Sequence, residues 1–340
     1  MATHLVQAVA SMTSALDRAR QMKHRAFVLR RGLAAASAGA CFRMARRSTV
    51  RRAAAAMDLP RLPHTPGTIW AVMMVRDESD VIEETIGQLL AEGVENVLVA
   101  DNGSTDGTRD LLGTLSRDSR IHVGDDLWTA YEQSAKMTVL ADAARRAGAT
   151  WVLPVDADER WMGKTGTIAE QLRAATRPIL QAELVNVFPS PEGDGTWRLD
   201  PVPHHDPKVA FMASRGAVVA MGNHRALRFG DIDGGLGIVH LPWRSPEQLR
   251  RKVQQGATAL GEARVGKNAG WHWRRLGIMD DAQLAAVWNQ ILRGEPVPEN
   301  AWQPGPVTVP FALSPHLSWN RVEQARREAR EEPPSSRAGI

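Results

Sequence analysis

From residue 68 to about residue 160 the chain switches between two hydrophobic rhythms. Ile69-Trp-Ala-Val-Met-Met-Val75 is an unbroken apolar run, the pattern of a strand buried on both faces. Val81, Ile82, Thr85, Ile86, Leu89 and Leu90 then recur at helical spacing, with Ser79 or Asp80 placed to cap the helix. Residues 96–100 form a second apolar run. Leu111, Leu112 and Leu115 mark the helix after it, behind Thr105 or Asp106 as the cap. Residues 121–123 predict a short strand. Residues 131–147 predict a helix closed by Gly148. Trp151-Val-Leu-Pro-Val155 predicts the next strand. Strand–helix–strand units repeated in this way predict an α/β fold with a mostly parallel central sheet and right-handed crossovers.

Past residue 159 the pattern becomes mixed. A helix is expected over 167–176 and an alternating strand over 179–188. Residues 189–207, rich in Pro, Gly and Asp, read as a long loop of the kind that carries function. Residues 209–214 and 217–221 predict a hairpin around Arg215-Gly216. A short strand at 238–241 and a helix from 246 to about 264 follow. Trp271, Trp273, Trp288, Trp302 and Trp319 are spread through mixed helix and loop, and residues 331–340 have disordered composition. The organisation expected is a basic N-terminal extension over 1–66, one α/β domain over 67–265, a helical and loop extension over 266–328, and a disordered tail over 329–340.

Charge changes the picture only at the N-terminus. The formal net charge is +4 over 340 residues. Arg18, Arg20, Lys23, Arg25, Arg30, Arg31, Arg43, Arg46, Arg47, Arg51 and Arg52 face a single acidic residue, Asp17, before Asp58. Alanine fills much of the remainder. Such a segment can lie on an anionic membrane or resemble a transit peptide, but its bland reading is a loosely ordered extension that ends at Pro60, Pro63 and Pro66. At most peripheral membrane contact is expected of it, and no nucleic-acid role, because no aromatic-basic stripe accompanies it. Cys41 is the only cysteine, which excludes an intrachain disulfide and suits a reducing cytoplasm. No apolar run reaches the roughly 18 to 20 residues that span a bilayer.

The chemistry gathers at strand ends. The apolar run 151–155 turns within one residue into Asp156-Ala-Asp158-Glu159. Carboxylates two apart on extended backbone point the same way, at the sheet edge where open α/β sheets bind ligands. Oxygen ligands of this kind suit Mg²⁺ or Mn²⁺ shared with a substrate phosphate. The bland reading of a lone Asp-x-Asp is a solvated loop. Here it is the third of three acidic strand ends, after Val75-Arg76-Asp77-Glu78 and Val99-Ala-Asp101-Asn-Gly-Ser-Thr-Asp106-Gly-Thr108.

These three motifs, in this order, resemble the family 2 glycosyltransferases, in the bacterial branch whose third motif reads Asp-Ala-Asp-Glu. His240-Leu-Pro-Trp-Arg244-Ser245 resembles that branch's later His–aromatic–Arg–Ser motif, and Gly222-Asn223-His224 its Gly-x-His. The resemblance covers about residues 68 to 260. It implies a GT-A fold and a nucleotide-sugar donor, most often a UDP-sugar. It implies Arg76, Glu78, Asp101 and Asn102 beside the nucleotide, with Asp101 accepting from the base. Asp156 falls near the ribose or the ion. Asp158 and His240 hold the metal, and Arg244 and Lys252 neutralise the diphosphate. Lys208 is a weaker cation of the same sort, and Ser245 caps the helix that carries Lys252. Asp158, Glu159 and His240 are the expected catalytic group. The carboxylate base of an inverting transfer is left open among Asp206, Asp231, Asp233 and Glu159. The sequence lacks the Gln-x-x-Arg-Trp motif of processive synthases, so transfer of a single sugar to a glycan, lipid or protein acceptor is expected. The alternatives are a catalytically silent GT-A-like nucleotide-binding protein, or a nucleotidyltransferase or phosphoryl-transfer enzyme on a similar sheet. Trp128, Trp161, Trp197 and Trp243 lie near the motif loops, and Trp243 is the one held open as a pocket wall.

Overall fold

The computed structural model describes residues 34, 37–191, 196–263, 270–295, 297, 309–311, 313 and 317–331. In chain order these form α1 (Arg47–Ala56), β1 (Met57–Asp58), β2 (Ile69–Val75), α2 (Ile82–Ala91), β3 (Asn96–Asp101), α3 (Thr108–Leu115), β4 (Ile121–Asp126), α4 (Gln133–Arg146), β5 (Trp151–Pro154) and β6 (Glu159–Gly163). There follow α5 (Ile168–Ala174), β7 (Ile179–Pro189), β8 (Trp197–Leu199), β9 (Lys208–Met212), β10 (Val218–Val219), β11 (Ala226–Leu227) and β12 (Ile232–His240). The chain closes with α6 (Pro246–Glu262), α7 (Trp271–Leu276), α8 (Asp281–Leu292), β13 (Val309–Phe311) and α9 (Trp319–Glu331). No helix among the described residues is long and apolar enough to cross a membrane.

The main sheet runs β1-β4-β3-β2-β5-β9-β7-β12-β6, with β8 and β13 added on β7. Its first half is the parallel array the apolar runs predict: β4, β3, β2 and β5 pair in parallel. Alternate residues of β2 supply opposite layers. Ile69, Ala71, Met73 and Val75 pack with α2, α3 and α5, while Trp70 and Val72 pack with α4. Helices on both faces explain why these strands carry no polar alternation. In the second half β9 runs antiparallel to both β5 and β7, β12 is parallel to β7, and β6 is antiparallel to β12. β12 is therefore nine residues long rather than the short strand expected.

Several expectations are corrected. Residues 47–58 are not a loose extension: α1 packs on α4, Ala53 is fully buried, and β1 pairs antiparallel with β4. Arg46 reaches the buried Glu132, and the Arg52 guanidinium lies 4.5 Å from the Trp128 ring centroid. The boundary at 66 consequently falls inside the packed body. Residues 1–33 and 332–340 lie outside the described residues, as does Trp302. Trp319 packs directly on Gly237 of β12, where an added Cβ would meet its ring at 2.1 Å, so α9 is also part of the packed body. The expected 209–221 hairpin is absent: β10 pairs with β11 instead. Neither Ser79 nor Asp80 caps α2. Its N-cap is Val81, and the Ser79 hydroxyl donates to Asp106 instead.

Candidate functional site

β2, β3 and β5 all point their carboxyl ends at one cleft of about 280 Å³, roofed by α6. Glu159 opens β6 directly across from His240, which ends β12, so one pair of hydrogen-bonded strands brings the third and fourth motifs together. Leu241 N–H donates to Asp158 O at 2.9 Å and fixes that join. Asp158, Asp156 and His240 line the cleft, with Arg76, Glu78, Asn102, Lys208, His224 and Lys252.

Asp158 is 4 % exposed and takes its partners from far along the chain. Lys252 Nζ pairs with Oδ2, His240 Nε2 lies 3.4 Å from the same oxygen, and Arg244 Nη1 lies 3.9 Å away. Burial pushes its carboxyl up, but Lys252 and then His240 outweigh burial and hold it well below the usual carboxylate range. Burial keeps His240 below its ordinary pKa, against the pull of Asp158. His240 Nδ1 is 2.9 Å from Asn186 Oδ1; with Nδ1 as the donor there, Nε2 would be left to offer a lone pair beside Asp158 to a cation between them. An imidazole lone pair and a carboxylate oxygen facing each other fit a hard divalent cation.

Asp156, expected as a further metal ligand, is spent otherwise. It accepts from Lys208 Nζ at 2.6 Å, Asn223 Nδ2 at 2.9 Å and Gln133 Nε2 at 3.3 Å. Glu159 does not line the cleft. It is fully buried behind it, accepting from Trp161 Nε1 at 3.0 Å and Asp156 N–H at 3.1 Å, with Lys208 Nζ 2.7 Å away. Burial pushes its carboxyl up to about 7, which Lys208 only partly offsets. Lys208, buried between two acids, stays charged: burial lowers its pKa, and Asp156 and Glu159 more than reverse that.

The donor-side residues divide. Arg76 lines the cleft, and its buried Nε has no hydrogen-bond partner among the described residues. Glu78 and Arg244 pair with each other, and Arg244 also pairs with Asp80 at 2.6 Å. Burial raises the Glu78 carboxyl, ahead of the opposing pull of Lys252 and Arg244. Asn102 donates to Asp126 and to Trp128 O. Asp101 is not in the cleft wall: its carboxylate accepts from Ser104 N–H at 3.1 Å and from the Ser104 hydroxyl. Ser245 caps α6 as expected, accepting from Gln248 N–H. Trp243 is fully buried against Leu249 and Val253 and stacks edge-on with Trp273, so it is core rather than a pocket wall.

Among the base candidates, Asp206 sits beside His205 at 2.9 Å, Asp231 lies 3.3 Å from Arg177, and Asp233 accepts from Gly234 N–H. None lines the cleft. His204, His205 and Asp206 cluster closely enough to share a cation, but they are consecutive in the chain, and His205 is 77 % exposed. Sequence reasoning missed Lys136, paired at 2.6 Å with the equally buried Asp126, and Gln133 and Asn186, which position Asp156 and His240. A lysine and a glutamine on the otherwise apolar face of α4 were the available signal.

Residues 70–233 match the family model described as Glycosyl transferase family 2. No curated protein sequence matches the chain. Among solved structures the chain is similar to residues 1–349 of S. aureus TarS. For the complex with UDP the identity is 13 %, covering 62 % of this chain and 71 % of that chain, with a TM-score of 0.35. For the complex with UDP-GlcNAc the identity is 13 %, the coverage 62 % and 72 %, and the TM-score 0.35. Overlaps this slight leave the assignment to the family match and to the sheet and side chains described above. The match over residues 70–233, together with a mixed, mostly parallel sheet flanked by helices, gives a GT-A-type α/β fold and supports glycosyltransferase activity.

Proposed function

We propose that the protein moves a single sugar, with inversion, from a nucleoside-diphosphate donor to a hydroxyl acceptor, with Mg²⁺ or Mn²⁺ bound at Asp158 and His240. UDP-sugars are the first donors to test. The observation that carries this reading is the pair Asp158 Oδ2 and His240 Nε2, 3.4 Å apart within a cleft that also holds Arg76, Lys208 and Lys252. Breaking the sugar–phosphate bond leaves a diphosphate whose charge must be stabilised as it develops. A bound divalent ion supplies Lewis-acid stabilisation of that charge.

The chain's own groups do the rest. Arg76 faces the cleft with donor capacity unspent, and guanidinium suits phosphate oxygens. Lys252 and Arg244 sit on Asp158 and Glu78, so donor phosphates and these acids share the same two cations. Asp158 is held ionised and His240 neutral, the states in which both offer lone pairs. Asp156, clamped by Lys208, Asn223 and Gln133, is a fixed acceptor in the cleft wall. The acceptor is a glycan, lipid or protein hydroxyl, delivered in the cytoplasm.

The test is a thermal-shift screen of nucleotide sugars with Mn²⁺, followed by calorimetry on Asp158→Ala. Wild type is expected to bind one donor with Mn²⁺ and to lose that binding on chelation. Asp158→Ala should keep its fold, lose the Mn²⁺-dependent binding, and turn over about a thousandfold more slowly. Unchanged Mn²⁺-dependent binding by Asp158→Ala would end this reading.

A further inference from the structure

We propose that the proton acceptor of the transfer is an imidazole, His224, rather than a carboxylate. The inference deepens the transferase reading and rests on it. An inverting displacement needs a base at the acceptor hydroxyl. Among the described residues, the carboxylates of the C-terminal half that could serve are turned away: Asp206, Asp231 and Asp233 are outside the cleft, and Glu159 is sealed behind it. Of the acids that do line the cleft, Asp156 is clamped by Lys208, Asn223 and Gln133, Asp158 faces Lys252 and His240, and Glu78 is paired with Arg244.

His224 is built for the task. Its Nδ1 lies 3.1 Å from the carbonyl oxygen of Pro207. A carbonyl only accepts, so Nδ1 carries the proton and Nε2 keeps its lone pair. His224 lines the cleft, and its Nε2 edge, away from that carbonyl, stands beside Gly222, which lines the cleft too. Burial keeps the ring below its ordinary pKa and so neutral at pH 7, and Lys208 acts in the same direction. The charged and titratable groups around it are Lys208, Asp206 and Asp156, with His204 stacked alongside at 6.4 Å between centroids.

The Gly222-Asn223-His224 motif then reads as one device. Gly222 has φ +73, and a Cβ there would stand 2.4 Å from His224 Nε2, so only glycine leaves the ring its place. Asn223, at φ 59, reaches Asp156 and ties the turn to the cleft wall. In the transfer step the acceptor O–H proton goes to His224 Nε2. The acceptor oxygen bonds to the anomeric carbon as the carbon–oxygen bond to phosphate breaks, and that electron pair leaves with the nucleoside diphosphate.

The experiment uses the full chain and the nucleotide sugar with the largest Mn²⁺-dependent thermal shift. Donor hydrolysis, with water as acceptor, is followed against pH for wild type and His224→Gln. Wild-type rate should rise with pH through a single group below about 6.5. His224→Gln should bind the donor unchanged, hydrolyse it at least about a hundredfold more slowly, and lose that limb. A His224→Gln enzyme with the wild-type rate and limb overturns the proposal. Imidazole ¹⁵N spectra, which need no turnover, give a second and independent readout: the Nδ1–H tautomer is expected at His224, and an Nε2–H tautomer overturns the proposal. Loss of donor binding in wild type, by contrast, would strike the transferase reading itself and leave the tautomer result standing.

Discussion

β3 and β5 are parallel strands that both end in acid-rich turns, yet they use their acids in opposite ways. After β3 the acids are satisfied by the turn and its neighbour. Asp101 takes Ser104, Asp106 takes Thr108 and Ser79, and Asp77 from the β2 loop takes Thr105 and Asp106 backbone N–H groups, while from α6 Gln255 reaches the Asp77 carboxylate and Arg251 stands 3.6 Å from Asp106. After β5 the acids are satisfied by side chains from 52 to 94 residues onward, Lys208, Asn223 and Lys252. The first arrangement fixes a loop and consumes most of its lone pairs locally. The second brings cations into a cleft, where a ligand's charge can compete for them. What separates the two strand ends is that the second meets its cations inside the cleft.

The largest effect that separates the two should come from Lys208. Its ammonium stands between Asp156 and Glu159, with its side chain only 7 % exposed. Lys208→Ala leaves the buried Glu159 and the part-exposed Asp156 without their cation and should cost about 3–5 kcal/mol of stability. Denaturant melts of the two proteins check this. A loss below about 1 kcal/mol, the size of a surface pair, would show that Asp156 and Glu159 find other partners and that they differ less from the β3 acids than their contacts suggest.

Ser104→Ala should cost less. It removes one hydroxyl donor from Asp101, while Ser104 N–H continues to donate. The expected loss is about 1–2 kcal/mol, with donor turnover changed far less than by Asp158→Ala. If turnover instead fell as steeply as for Asp158→Ala, Asp101 would belong to the donor site as the family resemblance implies, and its inward fold onto Ser104 would open when the nucleotide binds.

What is legible in the sequence divides along the same line. The strands β2, β3 and β5 are legible because continuous apolar runs bounded by turn chemistry leave few alternatives. The convergence of Asp158, His240 and Lys252 is legible only through family resemblance, since nothing in local spacing says that β12 lies beside β6. The order of the second half of the sheet is not legible at all: strand direction there is set by long-range pairing, which leaves no period in the chain. Residues 47–58 mislead for a related reason. Their arginines look solvated until Glu132 and Trp128, far along the chain, are placed against them. Glu159 misleads by adjacency, because Asp158 stands in the turn before β6 while Glu159, the first residue of that strand, is buried behind the cleft.

The smallest predicted effect tests the contrast through pH. His204 stands in the long-range region, and burial lowers its pKa to about 4. In the unfolded chain its imidazole takes up a proton near pH 6.5. Its contribution to stability is thus fully present above that pH and is lost as pH falls toward 4. Asp106, in the self-satisfied turn, behaves differently. Burial raises its carboxyl, but hydrogen bonds from Thr108 and Ser79 win and lower it, so its contribution is lost only below the ordinary carboxylate range. Denaturant melts from pH 7 down should therefore carry a first, histidine-linked decline between about pH 6.5 and 4, set against the opposite gain from the raised carboxyls of Glu159 and Glu78, and the difference between wild type and a histidine variant isolates it. His204→Gln should remove about 1–2 kcal/mol of that first decline, after allowance for screening of a part-exposed ring. His224 and His240, also lowered by burial, should leave the remainder. A first decline of the same depth in His204→Gln would mean that its ring gains a proton without cost in the folded protein, and that the wall of the cleft around it is open to water.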